Sequence, residues 1–263
     1  MSQTSISDQL LNDPNTADLY KKATTNTFLH LAGKGKLSRD YLSRWLSHDR
    51  YYAQAYARFI GGLLSRVQLP ATIPLGGLST TLEWRILTML QACLSGITTE
   101  LEFFEKTAKD YGLNLDALAM DETYDPISPE GARPAVRDFV ELFDSFGALG
   151  DGADALDLVD GLVVLWTTEK VYLDAWSYAK EQSPVAVGDA TQDFSKDADG
   201  GALRKAFIVN WTSDGFKAFV QEIQECLDAY YIQSKGRGSG SVRGIFATVL
   251  SIEVAFWPTI QLE

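Results

Sequence analysis

The chain has 263 residues, of which 46% are hydrophobic and 22% charged, the balance of a soluble globular protein and not of a disordered one. A fold of that length buries roughly 70–75% of its unfolded surface, so no covalent staple is required. The net charge of −12 argues against nucleic acid as a partner, because phosphates reward clustered Lys and Arg, and the longest basic stretch, KGRGSGSVRG, reads by its glycines as a turn.

The N-terminal stretch MSQTSISDQLLNDPNTADLYKK has no basic segment followed by an apolar one, so it is not a secretory signal. No apolar run is long enough to span a membrane, which points to the cytoplasm. Strand signals are scarce, with few alternating runs and no Asn-Gly or Asp-Gly turn joining two of them. Helical periodicity takes their place. Residues 15–33 form a first amphipathic helix closed by the glycines of AGKGK. Ser38 caps a second through about Val67, ended by the prolines of QLPATIPLGG. Ser79 or Thr80 opens a third, near 79–110, closed by Gly112.

MDETYDPISPEGARP is a loop by its prolines and turn formers. A fourth helix spans about 134–147, and GALGDGADA separates it from a fifth near 153–182. The polar, acidic segment 183–201 reads as a surface connection. A short helix near 202–211, one from Ser213 to about Ser234, and a last over 241–257 stopped by Pro258 complete the chain. Long helices with apolar stripes and short loops predict an all-α fold, a helical bundle. The segment after 183–201 is too short to bury its own apolar faces, so residues 1–263 read as a single domain.

Several polar groups sit on apolar faces. Trp45, Asp49, Tyr52 and Tyr56 share one face of the second helix. Either this is a core stripe whose acid reaches a tyrosine hydroxyl or Arg58, or it is the wall of a pocket. On the fifth helix Glu169, Tyr172 and Trp176 lie at i, i+3 and i+7, and Thr168 and Tyr172 at i, i+4. Glu100, Glu102 and Glu105 on the third helix read mostly as solvated. Glu253 is the only ionisable group between Arg243 and Glu263 and has Leu250 and Trp257 on its face, so it needs a buried partner or a cavity. Acids facing one aromatic-lined cavity favour a cationic or amino-bearing ring ligand.

Other chemistries find little support. Cys93 and Cys226 lie in apolar helical patterns without C-x-x-C spacing and read as buried free thiols. His30 and His48 are the only histidines, with no E-x-x-H pair for a di-iron site, although either could in principle serve haem. A serine triad lacks its G-x-S-x-G elbow. No metal or cofactor is expected.

Five stretches in order, TFLHLAGKGKLSRDYLSRWLSHDRYYAQAYARF, GITTELEFFEKTAKDYGL, LWTTEKVYLDAWSYA, FIVNWTSDGFKAFV and LSIEVAFWPTI, resemble the TenA/THI-4 (thiaminase II) family over about residues 27–258, with a fungal flavour in EKVYLDAWSYA. The resemblance implies a haem-oxygenase-like helical fold without haem and a homo-oligomer, dimer or tetramer. It implies a pyrimidine ligand and a thiamin-salvage hydrolase that deaminates or deformylates an aminopyrimidine.

Carried across, Asp49 would bind the pyrimidine amino group and ring nitrogen, with Tyr52 from the same motif and His48 in place of its usual Gln. Trp211 and Phe139 fall where tyrosines hold the ring. Glu253 matches the acid–base glutamate of the C-terminal E-x-x-F-W motif. The segment TTEKVY puts Thr168 where one branch has its nucleophilic cysteine, and neither Cys93 nor Cys226 falls there. Threonine without an adjacent base is a poor nucleophile. The expectation is therefore water attack assisted by Glu169 and Glu253, with Asp49, Tyr52, Phe139, Thr168, Tyr172 and Trp211 binding substrate. The alternative is a pyrimidine- or thiamin-binding protein that has lost the nucleophile.

Overall fold

A computed structural model describes residues 5–117, 134–147, 156–235 and 242–260. Of the expected turns, MDETYDPISPEGARP, GALGDGADA and KGRGSGS lie almost wholly outside these residues. Among the described residues the regular structure is helical, in the order α1 (Ile6–Leu11), α2 (Ala17–Thr24), α3 (Thr27–Gly33), α4 (Arg39–Leu64), α5 (Leu82–Tyr111), α6 (Pro134–Asp144), α7 (Leu158–Gln182), α8 (Ile208–Trp211), α9 (Asp214–Gln233) and α10 (Val242–Phe256). None of these helices is long and apolar enough to cross a membrane.

Local chemistry explains where sequence periodicity misjudged the boundaries. The helix expected over 15–33 is two, because Thr25 and Asn26 are extended and the Asn26 side chain accepts from the Leu29 N–H at 3.0 Å. An Asn that can cap a new helix competes with continuation of the old one. α1 was missed altogether, since six residues carry too little periodicity. It is held from outside itself: Ser7 donates through its hydroxyl (2.7 Å) and its N–H (2.9 Å) to Asp228 on α9. The third expected helix begins at Leu82 behind a 3₁₀ turn over Leu78–Thr80, with Thr81 accepting from the Trp84 N–H and Gly112 closing it at φ 65°. α7 starts from a capping box in which Asp157 and Asp160 each accept the other's N–H at 3.1 Å.

α7 is the central helix, packed against α2, α3, α9 and α10, while α4 lies on α5 and α6. Residues 158–168 of α7 are buried without a break, the mark of a helix enclosed on all sides. Beside it Trp45, Trp176, Trp211 and Trp257 form one aromatic cluster. Trp45 stacks on Trp257 with ring centroids 5.8 Å apart, and Trp176 lies 4.5 Å from Trp211.

The connection 183–201 is only in part the polar surface strap expected. Phe194 and Asp199 are each 1% exposed. Asp199 accepts from the N–H groups of Gly201 (2.9 Å) and Leu203 (2.7 Å), where a π-helical turn, Leu203–Phe207, leads into α8. Arg204 in that turn pairs with Asp197, Nε to Oδ2 at 2.7 Å, and covers the Phe194 ring at 4.6 Å. Asp197 and Asp199, two of the acids that suggested solvent, satisfy buried donors, while Asp189 and Asp193 accept only within their own exposed turns.

Adjacent glycines on α4 give a stability test. A Cβ on Gly62 would stand 2.3 Å from the Phe146 carbonyl oxygen, whereas one on Gly61 meets nothing within 4 Å. Gly61→Ala is expected to stabilise by about 0.5–1 kcal/mol, since alanine loses less entropy in a helix. Gly62→Ala is expected to destabilise by about 1–3 kcal/mol through overpacking. Urea unfolding of the two variants checks both signs.

Candidate functional site

A cavity of about 520 Å³ opens between α4, α5, α7 and the α8–α9 junction. Three helices contribute matching stripes: Asp49, Tyr52 and Tyr56 from α4; Cys93, Gly96 and Glu100 from α5; Thr168, Glu169 and Tyr172 from α7. The first two sets are spaced i, i+3 and i+7, which places each on one helical face. Asn210, Trp211, Phe216 and Phe219 close the fourth side. The mouth is framed by exposed small residues of α5, Ala92, Ser95, Gly96 and Thr99. A second hollow, beside Asp157, Tyr230 and Lys235, has its acid engaged in the α7 capping box.

Four carboxyl groups from four helices share this region. Asp49 is buried and accepts a hydrogen bond from the Tyr172 hydroxyl at 3.1 Å. Burial, then the charges of Glu100 and Glu169, hold it well above the usual carboxylate range against that hydrogen bond. Glu169 is pushed up to about 7, by burial first and by Glu100. Glu253 is raised well above its ordinary value by burial, Asp49 and Glu169. Burial also raises Glu100, opposed by donation from Trp211 Nε1 to Oε1 and from Asn210 Nδ2 to Oε2.

Among the described residues that line the cavity, none is Lys, Arg or His. Lys170, beside Glu169 in sequence, turns away to Asp174 at 2.6 Å. The acids therefore meet one another with no cation between them, and for Asp49, Glu169 and Glu253 this adds to the burial that chiefly opposes ionisation. No group of three or more His, Cys, Asp or Glu positioned to hold a metal ion occurs among the described residues.

Of the residues singled out from sequence, Asp49, Tyr52, Thr168, Glu169, Tyr172 and Trp211 all line the cavity. Glu253 and Phe139 do not. Glu253 is 3% exposed, behind the wall but within electrostatic range of Asp49, Glu169 and Tyr52. Phe139 is fully buried with its ring 5.1 Å from that of Tyr52, which it backs edge-on. The Thr168 hydroxyl donates to its own helix, to the carbonyls of Val164 (3.2 Å) and Leu165 (3.0 Å).

Two wall residues, Glu100 and Cys93, went unnoticed as a site in the sequence, whereas Tyr56 stood on the face read as a possible pocket wall. Glu100 was grouped with its solvated neighbours Glu102 and Glu105, which are indeed exposed; its i+7 spacing from Cys93 through Gly96 was the available signal. Cys93 read as core, and is buried with its thiol donating to Met89 Sδ at 3.6 Å while also facing the cavity. Tyr56 is 2% exposed, and its hydroxyl faces Glu169 and Cys93 without a hydrogen bond of ordinary geometry among the described residues.

The all-helical bundle has the haem-oxygenase-like fold of TenA proteins, as superposition on solved structures shows. A TenA homologue from Pyrococcus furiosus superposes with a TM-score of 0.65 at 20% identity, covering 95% of this chain and 97% of that one. One from P. horikoshii gives 0.67 at 17% identity, covering 97% of each chain. A TenA-like thiaminase candidate from Sulfolobus solfataricus gives 0.60 at 17% identity, covering 97% and 95%. The resemblance seen in the sequence thus holds at the level of the fold. A curated relative from Fusarium pseudograminearum (strain CS3096), named "Probable transcription factor", is 29% identical over 233 residues, 80% of this chain. The chain spans 43% of that relative's length. No family model matches the chain.

Proposed function

We propose that this protein is a hydrolase of the TenA type that acts on an aminopyrimidine derived from thiamin, by attack of a water molecule. The observation that carries the reading is the set of carboxyl groups around an aromatic-walled cavity, with Asp49 oriented by Tyr172 and Glu169 poised near neutrality. Asp49 receives the ring's amino group, and Tyr52, Tyr172 and Trp211 hold the ring, Phe139 bracing Tyr52 from behind. Glu169 takes a proton from water as the hydroxide adds to the ring carbon or the formyl carbon. Glu253 and Asp49 keep protons near the site, one of which leaves on the departing amine. The protein acts as a homo-oligomer in the cytoplasm, its residues 1–263 forming one domain.

Incubation with thiamin and with amino- and formylaminomethyl pyrimidines, followed by chromatography and mass analysis, tests this reading. Release of ammonia or formate with the matching pyrimidine product supports it, and an unchanged panel sinks it. The pH profile is a second check. Glu169 must be ionised to act as base, so kcat/KM should fall below about pH 7. The same shift affects stability with a definite sign. The carboxyl titrates near its ordinary 4.5 when unfolded and near 7 when folded, so its contribution to stability is full below 4.5 and is lost as pH rises through 7. Glu169→Gln should remove both dependences.

A second reading, a binding protein without turnover, is favoured by the Thr168 hydroxyl, which is tied to backbone carbonyls. It predicts a raised melting temperature with a pyrimidine and no product.

A further inference from the structure

We propose that Glu100 is the counter-ion for a cationic group carried by the ligand, an ammonium or a flat charged heterocycle, seated at the cavity mouth against Trp211 and Phe216. The inference rests on the aminopyrimidine reading for the ring held at Asp49, and concerns what that ring carries.

The volume of about 520 Å³ suits a ligand larger than one six-membered ring. Its outer part holds the exposed residues Ser95, Gly96, Thr99 and Asn210, and half-buried Glu100 stands among them. Trp211 Nε1 fixes one carboxylate oxygen and Asn210 Nδ2, at 3.1 Å, fixes the other. Each oxygen keeps a further acceptor site. The two donors hold the carboxylate in place and favour its charged form against its burial, while burial and the charge of Glu100 make the deeper Asp49 and Glu169 resist ionisation. Glu100 is met by two neutral donors and by no basic side chain of the cavity, so its remaining acceptor sites are open to a ligand cation, with the half-buried Phe216 ring in the same cavity favouring that charge.

A purely structural role, in which Glu100 only orients Trp211, gives a different result. Glu100→Gln keeps an oxygen to accept from Trp211 and removes the charge. Calorimetry on wild type and Glu100→Gln would compare an aminomethyl pyrimidine, charged on its arm, with the hydroxymethyl pyrimidine, which is neutral there. Benzylammonium and benzyl alcohol serve as a pair lacking the pyrimidine.

Wild type should prefer each ammonium over its alcohol by about tenfold, and Glu100→Gln should erase the preference while leaving the alcohols within about twofold. Equal weakening of both members of a pair, or no preference in wild type, overturns the proposal. If the benzyl pair discriminates through Glu100 but neither pyrimidine binds, the counter-ion role stands and the pyrimidine reading falls. If the pyrimidines bind but no pair discriminates, the reverse holds.

Discussion

Glu253→Gln is expected to lower turnover by about 10²–10⁴, the range for loss of a positioned proton-transfer group, while the melting temperature holds or rises. The two effects part because of where the residue sits. Buried beside Asp49 and Glu169, Glu253 resists ionisation, so near neutrality the carboxyl favours the unfolded chain, in which it ionises freely. Glutamine keeps the shape and removes that opposition. A drop in kcat with an unchanged KM and an unaltered circular dichroism spectrum would support a proton-handling role. Loss of stability alongside activity would mean that the acid is a structural hydrogen-bonding group, and full activity would remove it from the chemistry. Because Glu253 stands behind the cavity wall, the outcome also tells whether a proton can reach the site past the Tyr52 hydroxyl.

Arg204→Met should cost about 3–5 kcal/mol, the usual penalty for removing one partner of a buried ion pair. The Arg204 and Asp197 side chains are 10% and 6% exposed, so the remaining carboxylate would be buried without its ion partner. Replacing both, with Asp197→Leu added, should recover much of the loss, since the cost lies in the abandoned charge. Denaturant midpoints of the single and double variants check this. A fall in ligand affinity in the single variant would show that the π turn carrying Arg204 also sets the position of Trp211, four residues beyond its end.

The helices were legible from spacing, and so were five residues that line the cavity, Asp49, Tyr52, Thr168, Glu169 and Tyr172, while Trp211 came only from the family resemblance. A stripe at i, i+3 and i+7, such as Asp49, Tyr52 and Tyr56, is a property of one helix and can be read without knowing its neighbours. Glu100 was harder to read. Its spacing from Cys93 sets it apart from Glu102 and Glu105, but its partners Trp211 and Asn210 come from α8, more than a hundred positions away. The segment 183–201 misled for a related reason: Asp197 and Asp199 look solvated until Arg204 and the N–H groups of the π turn are placed beside them. The break at Asn26 was readable in principle, as an Asn able to cap, but continuous amphipathicity on both sides masked it.

The burial pattern of the cavity divides its walls into two kinds, and this bears on how such a protein can change. Thr168 and Asp49 sit on stretches locked into the packing of the bundle, where most replacements would threaten the fold. Ala92, Ser95, Gly96 and Asn210 are exposed, and a side chain grown at Gly96 meets nothing within 4 Å. Ligand preference is therefore free to drift through the rim at little cost in stability, while the inner chemistry is held fixed. A library confined to those rim positions should yield folded proteins with new appetites far more often than one aimed at the floor.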